Sequence, residues 1–358
     1  MNELNNFVHL SKYAGQRFDL VQAGGGNSSV KLKDGSLLIK ASGFSLSEVE
    51  TTTGYAIVDN QKLVATAFDP KIFTIADKYE REQAAKKRVD QALIQATHRP
   101  SIETLLHSLL DKYTLHTHPI ALNSLACKAN WKELFFSLLP DALLVDYHTP
   151  GIDLALALKQ GIIDLGISPN IIILQNHGLI VTAATAEEVI FLTEQTLAIV
   201  EEFLDISFEP YKFTTQISKL CNTLANNVST VAYLSRDREL TSLALNNKEI
   251  LFLPPFCPDA LVYCGASALE LANLNDTQPV SDYFLQYHEL PKVIVYQNHL
   301  FFIAHNIKKA KEIEEVYKFH ILALHAAYQI PGPVNYLSPQ ELSYLNNWEA
   351  EKYRQKRA

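Results

Sequence analysis

The sequence predicts an α/β fold: a mainly antiparallel central sheet with helices on both faces, followed by a degenerate second copy. Two observations carry that prediction. Short apolar runs alternate with longer segments whose apolar residues recur every three or four positions, as when strands are interleaved with amphipathic helices. One pattern is also written twice: IIILQNHGLIVTA begins at Ile171 and VIVYQNHLFFIAH at Val293. The offset is 122 residues both from Pro169 to Pro291 and from His177 to His299. An offset kept over about thirty residues points to a duplicated supersecondary unit. A chain of 358 residues is long enough for two domains. The expected boundary lies at Glu209-Pro210, giving 1–209 and 210–358.

Each element has its own signal. In GGGNSSVKLKDGSLLIKASG, Ser29-Val30-Lys31-Leu32 and Leu37-Leu38-Ile39 flank a Lys33-Asp34-Gly35 turn, which reads as a hairpin. Asp77 to Thr97 is charged, with apolar positions three and four apart, and predicts a helix with one wet face. PSIETLLHSLLDK opens a helix at Pro100. Ser101 is its cap, Glu103 sits in the first turn, and Leu105, Leu106, Leu109 and Leu110 form the buried stripe. Tyr113 begins a short strand that Pro119 ends. From Pro169 the order is strand, tight turn, strand and helix, with Thr185 and Glu188 shaped as a capping box and the helix running to about Leu204. From Pro291 the order returns, ending in a helix from about Lys308 to Tyr328.

Composition removes several function classes. The formal charge is −8 and no long Lys/Arg run occurs, the wrong sign for nucleic acid or an anionic membrane. The opening Met1-Asn2-Glu3-Leu4-Asn5 has no basic region or apolar core of a signal peptide, and no run of about 18 apolar residues would span a bilayer. The expectation is a cytoplasmic protein without membrane or nucleic-acid partners. Cys127, Cys221, Cys257 and Cys264 form no C-x-x-C pair and read as reduced, mostly buried thiols.

The residues that could carry chemistry cluster in the first half. His116 and His118 are two apart on a strand, so both rings face one side. Zinc takes imidazole nitrogens at about 2.0–2.1 Å and commonly three protein ligands in catalytic sites. His177, where a strand meets a Gly-containing turn, is a candidate third ligand. Glu103 lies upstream at the start of the helix that leads into the His116 strand; an acidic residue there also complements the helix dipole. Gly24, Gly25 and Gly26, followed by Asn27, let backbone N–H groups approach an oxyanion, or form a flexible turn. Lys40 reads as charge near a phosphate or as a solvated strand lysine. His107 reads as a helix-packing residue or a metal neighbour, and His148 as a turn residue or part of the site. After Tyr211 no H-x-H pair and no upstream Pro-Ser-type helix start remain, and Leu300 replaces the glycine after the second Gln-Asn-His. His299 is therefore expected to serve the fold, not a metal.

RPSIETLLHSLLDKYTLHTHPIALNSLA, ILQNHGLIV and GGGNSSVKL…LLIKASG together resemble the class II aldolase/adducin family over about Phe18 to Leu204. Within it, the match is nearest to long rhamnulose-phosphate aldolase-like members. The resemblance implies that His116, His118 and His177 hold Zn2+ and that Glu103 is the catalytic acid/base. Gly26, Asn27, Ser42, Gly43 and Ser101 would contact a sugar phosphate. It implies a homo-oligomer, tetramer or dimer, and a reaction that cleaves a phosphorylated ketose into dihydroxyacetone phosphate and an aldehyde. The alternatives are a sugar-phosphate epimerase or dehydratase on the same zinc, or a non-catalytic adducin-like scaffold. One departure bears on phosphate: the second serine of the family's Pro-Ser-Ser-Glu is Ile102 here.

Overall fold

The structure is a computed structural model that describes residues 2–95, 98–224 and 229–347. Contacts divide the chain into two compact units, Met1–Phe208 and Glu209–Ala358.

The first unit opens with helix α1 (Glu3–Gly15), hairpin strands β1 (Asn27–Lys31) and β2 (Ser36–Lys40), and β3 (Tyr55–Asp59). Helices α2 (Asn60–Ala67), α3 (Pro70–Phe73) and α4 (Lys78–Gln91) follow, then β4 (Leu93–Gln95), α5 (Thr104–Ser108) and β5 (Tyr113–Thr117). Next come α6 (Ile120–Ala126), α7 (Trp131–Leu138), β6 (Leu143–Val145), α8 (Ile152–Leu165), β7 (Ile171–Leu174), β8 (Gly178–Ala183) and α9 (Ala186–Leu204). The strands form one sheet in the order β4-β3-β2-β1-β5-β8-β7-β6. Among the described residues only the β6–β7 pair is parallel.

Helices cover both faces, as the sequence predicts, because the central strands β1, β2, β5 and β8 are buried at almost every position, so both sides of the sheet need cover. On one face Phe7 and Leu10 of α1, Leu122 of α6, Phe135 of α7 and Leu197 of α9 pack on Leu115, Leu179 and Val181. On the other, Leu63 of α2, Ala85 of α4, Leu106 of α5 and Leu158 of α8 pack on Ile39, Val58, Ile172 and Ile180. Each of the leucine, isoleucine, valine and phenylalanine side chains among them contributes about 1.5–3 kcal/mol by leaving water.

The predicted helix over Asp77–Thr97 is cut short. Asp77 caps its start by accepting from the Glu80 N–H at 2.8 Å, but the helix ends at Gln91. Leu93 then pairs with Val58 at the sheet edge, so an open strand overrides the helical charge pattern. Thr97 lies outside the described residues. The helix expected from Pro100 also starts later, at Thr104, with Glu103 as its N-cap and no side-chain capping bond. Leu105, Leu106 and Leu110 are buried, whereas Leu109 is half-buried.

The second unit contains α10 (Glu209–Asn222), β9 (Val231–Leu234), α11 (Arg238–Asn246), α12 (Pro258–Cys264), β10 (Leu269–Leu271), α13 (Gln278–Tyr287), β11 (Val293–Tyr296), β12 (His299–Ala304), α14 (Ile307–Ala327) and α15 (Pro339–Asn347). Its sheet runs β10-β11-β12-β9, parallel only between β10 and β11. That order and those directions match β6-β7-β8-β5. Leu240 of α11 and Ile313 and Ile321 of α14 pack on Val295 and Phe302. Phe213 and Ile217 of α10 and Val280 of α13 pack on Ile294 and Phe301.

Among the described residues no helix is long and apolar enough to cross a membrane. All four cysteines are free. Cys221 and Cys264 are buried, Cys257 is half-buried and Cys127 is exposed, so the thiols are less uniformly buried than the sequence suggests.

Candidate active site

Three neighbouring strands of the first unit supply the site. Asn27 at the start of β1 faces His116 on β5, and His116 faces Ile180 on β8. His118 follows β5, and His177 lies in the turn into β8.

That turn has three residues, because Leu174 pairs with Gly178. Asn176 takes φ 52°, a left-handed conformation that asparagine tolerates. Its N–H donates to Ala126 O at 3.3 Å, and Asn123 Nδ2 donates to His177 O at 3.2 Å. The C-terminal end of α6 therefore holds the turn, and the His177 ring is presented toward His116 and His118. Two glycines make room for this approach. A Cβ on Gly26 would lie 2.7 Å from His116 O, and one on Gly178 would lie 2.2 Å from Thr117 O.

The three rings converge. Their centroids lie 4.7, 5.0 and 5.2 Å apart, and one ligand atom from each falls within 4.8 Å of the others. Nε2 of His118 is 3.0 Å from Nε2 of His116. Burial holds all three rings neutral, pushing His116 well down and His177 to about 4. His118 is lowered by burial and then by the charge of Lys40. His116 Nδ1 and His177 Nδ1 are buried without a hydrogen-bond partner, which is uncommon in a folded protein. Neutral imidazoles with nitrogens to spare are the donor set a divalent metal takes, so these residues fit a metal.

Glu103 stands beside this cluster. Its Oε1 is 3.4 Å from His177 Nε2 and has no hydrogen-bond partner. Its Oε2 accepts from Asn27 Nδ2 at 2.5 Å. Burial raises the carboxyl above its ordinary range, while the Asn27 bond and Lys40 oppose that rise. A buried carboxyl with a raised pKa, beside a metal-type cluster, is a candidate for proton transfer. Ser101 belongs to the same group: its Oγ lies 3.4 Å from Asn27 Nδ2 and accepts from the Glu103 N–H at 3.3 Å.

The structure thus brings together Gly26, Asn27, Ser101, Glu103, His116, His118 and His177. Ser42 and Gly43 lie on an exposed loop, where the Ser42 N–H donates to Arg99 O at 2.8 Å and Gly43 has φ 87° and open space around it. Lys40 ties that loop to the glycine loop. It is 4% exposed, and its Nζ donates to Phe44 O at 2.6 Å, Gly24 O at 3.4 Å and Ala41 O at 3.5 Å. It is therefore no solvated strand lysine, and burial lowers its pKa to about 8. Ile102 is 57% exposed. His148 is exposed and lines a separate 640 Å³ cleft with Arg81, Asp146 and Asp153.

His107, read as a helix-packing residue or a metal neighbour, is fully buried in α5 and bonded to Ser29 and Asn27. Sequence reasoning passed over Arg17. That fully buried guanidinium meets Asp19 at 2.7 and 2.5 Å and Glu194 at 2.7 Å. The segment it braces receives the His118 N–H on Leu20 O at 2.8 Å. The available signal was a charged Arg-x-Asp between an apolar helix and the glycine loop.

The second Gln-Asn-His is built differently. Gln297 and Asn298 form a two-residue turn at φ 48° and 61°, and Tyr296 pairs with His299. The offset of 122 consequently holds only up to the turn. Beyond it the helix caps, Thr185 and Asn306, are 121 apart. His299 occupies the register of Gly178, and one residue of slip moves every following side chain to the other face. Phe301 then matches Ile180, and Leu234 faces it where His116 faces Ile180. Arg236, two residues on, lies over the Tyr211 ring at 4.7 Å.

Comparison with known proteins adds the following. The model of the Class II Aldolase and Adducin N-terminal domain matches residues 6–203. The "Uncharacterized oxidoreductase YuxG" of Bacillus subtilis (strain 168) is 25% identical over 214 residues, covering 56% of this chain and 29% of that protein. This chain thus spans under a third of that relative. The N-terminal class II aldolase domain of a conserved Thermoplasma acidophilum protein is 24% identical, over 57% of this chain and 94% of that one, with TM-score 0.49. A sugar-phosphate aldolase from Thermotoga maritima is 16% identical, over 57% and 96%, with TM-score 0.41.

Proposed function

Since this chain belongs to the class II aldolase and adducin family, we propose that it is a zinc-dependent aldolase cleaving a phosphorylated ketose into dihydroxyacetone phosphate and an aldehyde. The observation that carries the reading is the buried, partnerless Oε1 of Glu103 lying 3.4 Å from Nε2 of His177 in the three-imidazole cluster.

His116, His118 and His177 would hold the ion, and their neutrality leaves its full positive charge for the substrate. When bound, the metal supplies a Lewis acid for the ketone oxygen, worth several kcal/mol on the developing charge. In cleavage the bond between the third and fourth carbons breaks, and its electron pair passes toward the ketone as an enediolate. Glu103, protonated at Oε1, gives its proton to the third carbon and ends ionised; in the aldol direction it takes that proton back. The proton of the fourth-carbon hydroxyl goes to a second base, which in a homo-oligomer would come from a neighbouring subunit. Asn27 holds Glu103, and the charge of Lys40 between the loops of Gly24 and Ser42 favours an anionic substrate end. Ile102 offers that end no hydroxyl, so Lys40 and backbone N–H groups carry more of its binding. We read the second unit, with Leu234 and Arg236 in place of the histidines, as a degenerate copy without a metal.

The test is incubation of the metal-loaded protein with a panel of phosphoketoses, followed by detection of dihydroxyacetone phosphate. Release should stop with chelator and fall about 10²–10⁴-fold in Glu103→Gln. An isomerised sugar phosphate without cleavage would assign an epimerase instead. Metal binding with no conversion of any sugar would leave a scaffold.

A further inference from the structure

Glu103 has two oxygens in different surroundings. Oε2 accepts from Asn27 Nδ2 at 2.5 Å, and Oε1 faces His177 without a hydrogen-bond partner. Which end of the Asn27 amide meets Glu103 depends on what meets the other end. That other end, Oδ1, meets Nε2 of His107, whose Nδ1 is 2.7 Å from Ser29 Oγ. Asn27, Ser29 and His107 are 3%, 1% and 0% exposed, so water cannot substitute for a partner.

The hydrogen-bonding roles then follow in one direction. Oδ1 only accepts, so Nε2 of His107 carries the ring proton. A neutral ring leaves Nδ1 bare, and Nδ1 accepts from the Ser29 hydroxyl. The amide's remaining donor, Nδ2–H, is thereby turned to Glu103. The opposite sequence exists only as a whole: Glu103 protonated at Oε2 and donating to Asn27, Asn27 donating to His107, and Nδ1–H donating to Ser29. In that arrangement the carboxyl proton is locked into the hydrogen-bond chain, away from the metal cluster.

The geometry points to Ser29 and His107 as positioning residues that fix the Asn27 amide, so that Oε1 of Glu103 is the oxygen exchanging protons with substrate. The inference rests on the reading of Glu103 as proton carrier. It adds an acceptor-side oxygen, Oε2, that stays hydrogen-bonded throughout, and it gives Asn27 a task other than contact with the phosphate. Burial, which lowers the His107 pKa to about 3, keeps the ring in the neutral form that this direction needs.

The first test reads the ring itself. Two-bond proton–nitrogen correlation spectra of full-length protein labelled with 15N-histidine should show His107 as the Nε2–H tautomer, unchanged between about pH 6 and 8. An Nδ1–H tautomer, or a ring titrating in that range, overturns the inference. The second test uses a phosphoketose that the wild type cleaves. Ser29→Ala should lower kcat about tenfold while KM and metal affinity stay within about twofold, and Ser29→Thr, which keeps the hydroxyl, should restore kcat. A threonine variant as slow as the alanine variant, or parallel losses in kcat and metal affinity, overturns it. Should the wild type cleave no sugar, the aldolase reading fails, while the tautomer measurement still decides the relay.

Discussion

Gly178→Ala is a small change that should open the three-histidine cluster. The added Cβ would stand 2.2 Å from Thr117 O and 3.0 Å from His118 Cδ2, where ordinary contact begins at 3.4 Å. The first obstacle is backbone, which cannot rotate aside. The start of β8 must therefore retreat from β5 by roughly 1 Å, at a cost of about 1–3 kcal/mol for overpacking. His177 is the next residue back and moves with it. Displacing a ligand on that scale should weaken metal binding by about 10–100-fold, and the midpoint of thermal unfolding should drop by about 2–10 °C. Competition against a chelating dye measures the first quantity and calorimetry the second. Two neighbouring glycines grade the effect. A Cβ on Gly25 would lie 2.9 Å from His118 Nδ1 and 3.0 Å from Gln22 O, so Gly25→Ala should be intermediate. Gly24 has nothing within 4 Å, so Gly24→Ala should leave affinity and midpoint unchanged. Wild-type metal affinity and midpoint in Gly178→Ala, or an equal loss in Gly24→Ala, would refute the steric argument.

Other outcomes follow from the same geometry. With Lys40 titrating at about 8, its ammonium is present below that pH and lost above it. KM for a phosphorylated ketose should rise as pH passes about 8, and Lys40→Met should raise KM about tenfold and flatten the dependence. His107 takes up a proton at about 3 in the folded chain and at about 6.5 in the unfolded one. Acid therefore favours the unfolded state, and His107 should account for about 1.4 kcal/mol lost per pH unit between about 6.5 and 3, read as the difference in urea-titration slope between the wild type and His107→Gln. Asp19→Ala leaves the Arg17 guanidinium buried against Glu194 alone and should cost about 3–5 kcal/mol by chemical denaturation. His299→Ala should bind as much metal per chain as the wild type, while His177→Ala should bind far less; elemental analysis of dialysed protein compares them.

Much of the fold was legible in the sequence, because periodicity is a local property. The hairpin at Lys33-Asp34-Gly35, the apolar strands around each Gln-Asn-His and the long helices that follow them stand where the pattern puts them. The parity of His116 and His118 places both rings on one side of a strand, and the structure brings His177 and Glu103 to that side. What the sequence alone could not decide was set by contacts across the fold. Residues near Leu93 carry a helical charge pattern, yet an open edge beside Val58 turns them into a strand. Lys40 and His107 look like ordinary polar residues until the glycine loop, Ser29 and Asn27 close over them. The two Gln-Asn-His tripeptides are identical as letters. A backbone bond to Ala126 O and a side-chain bond from Asn123 support three residues in the first turn, and the second closes with two. Sequence determined that each histidine would lie at a strand's edge; the length of the turn, a property of what surrounds it, decided which one joins the metal-type cluster.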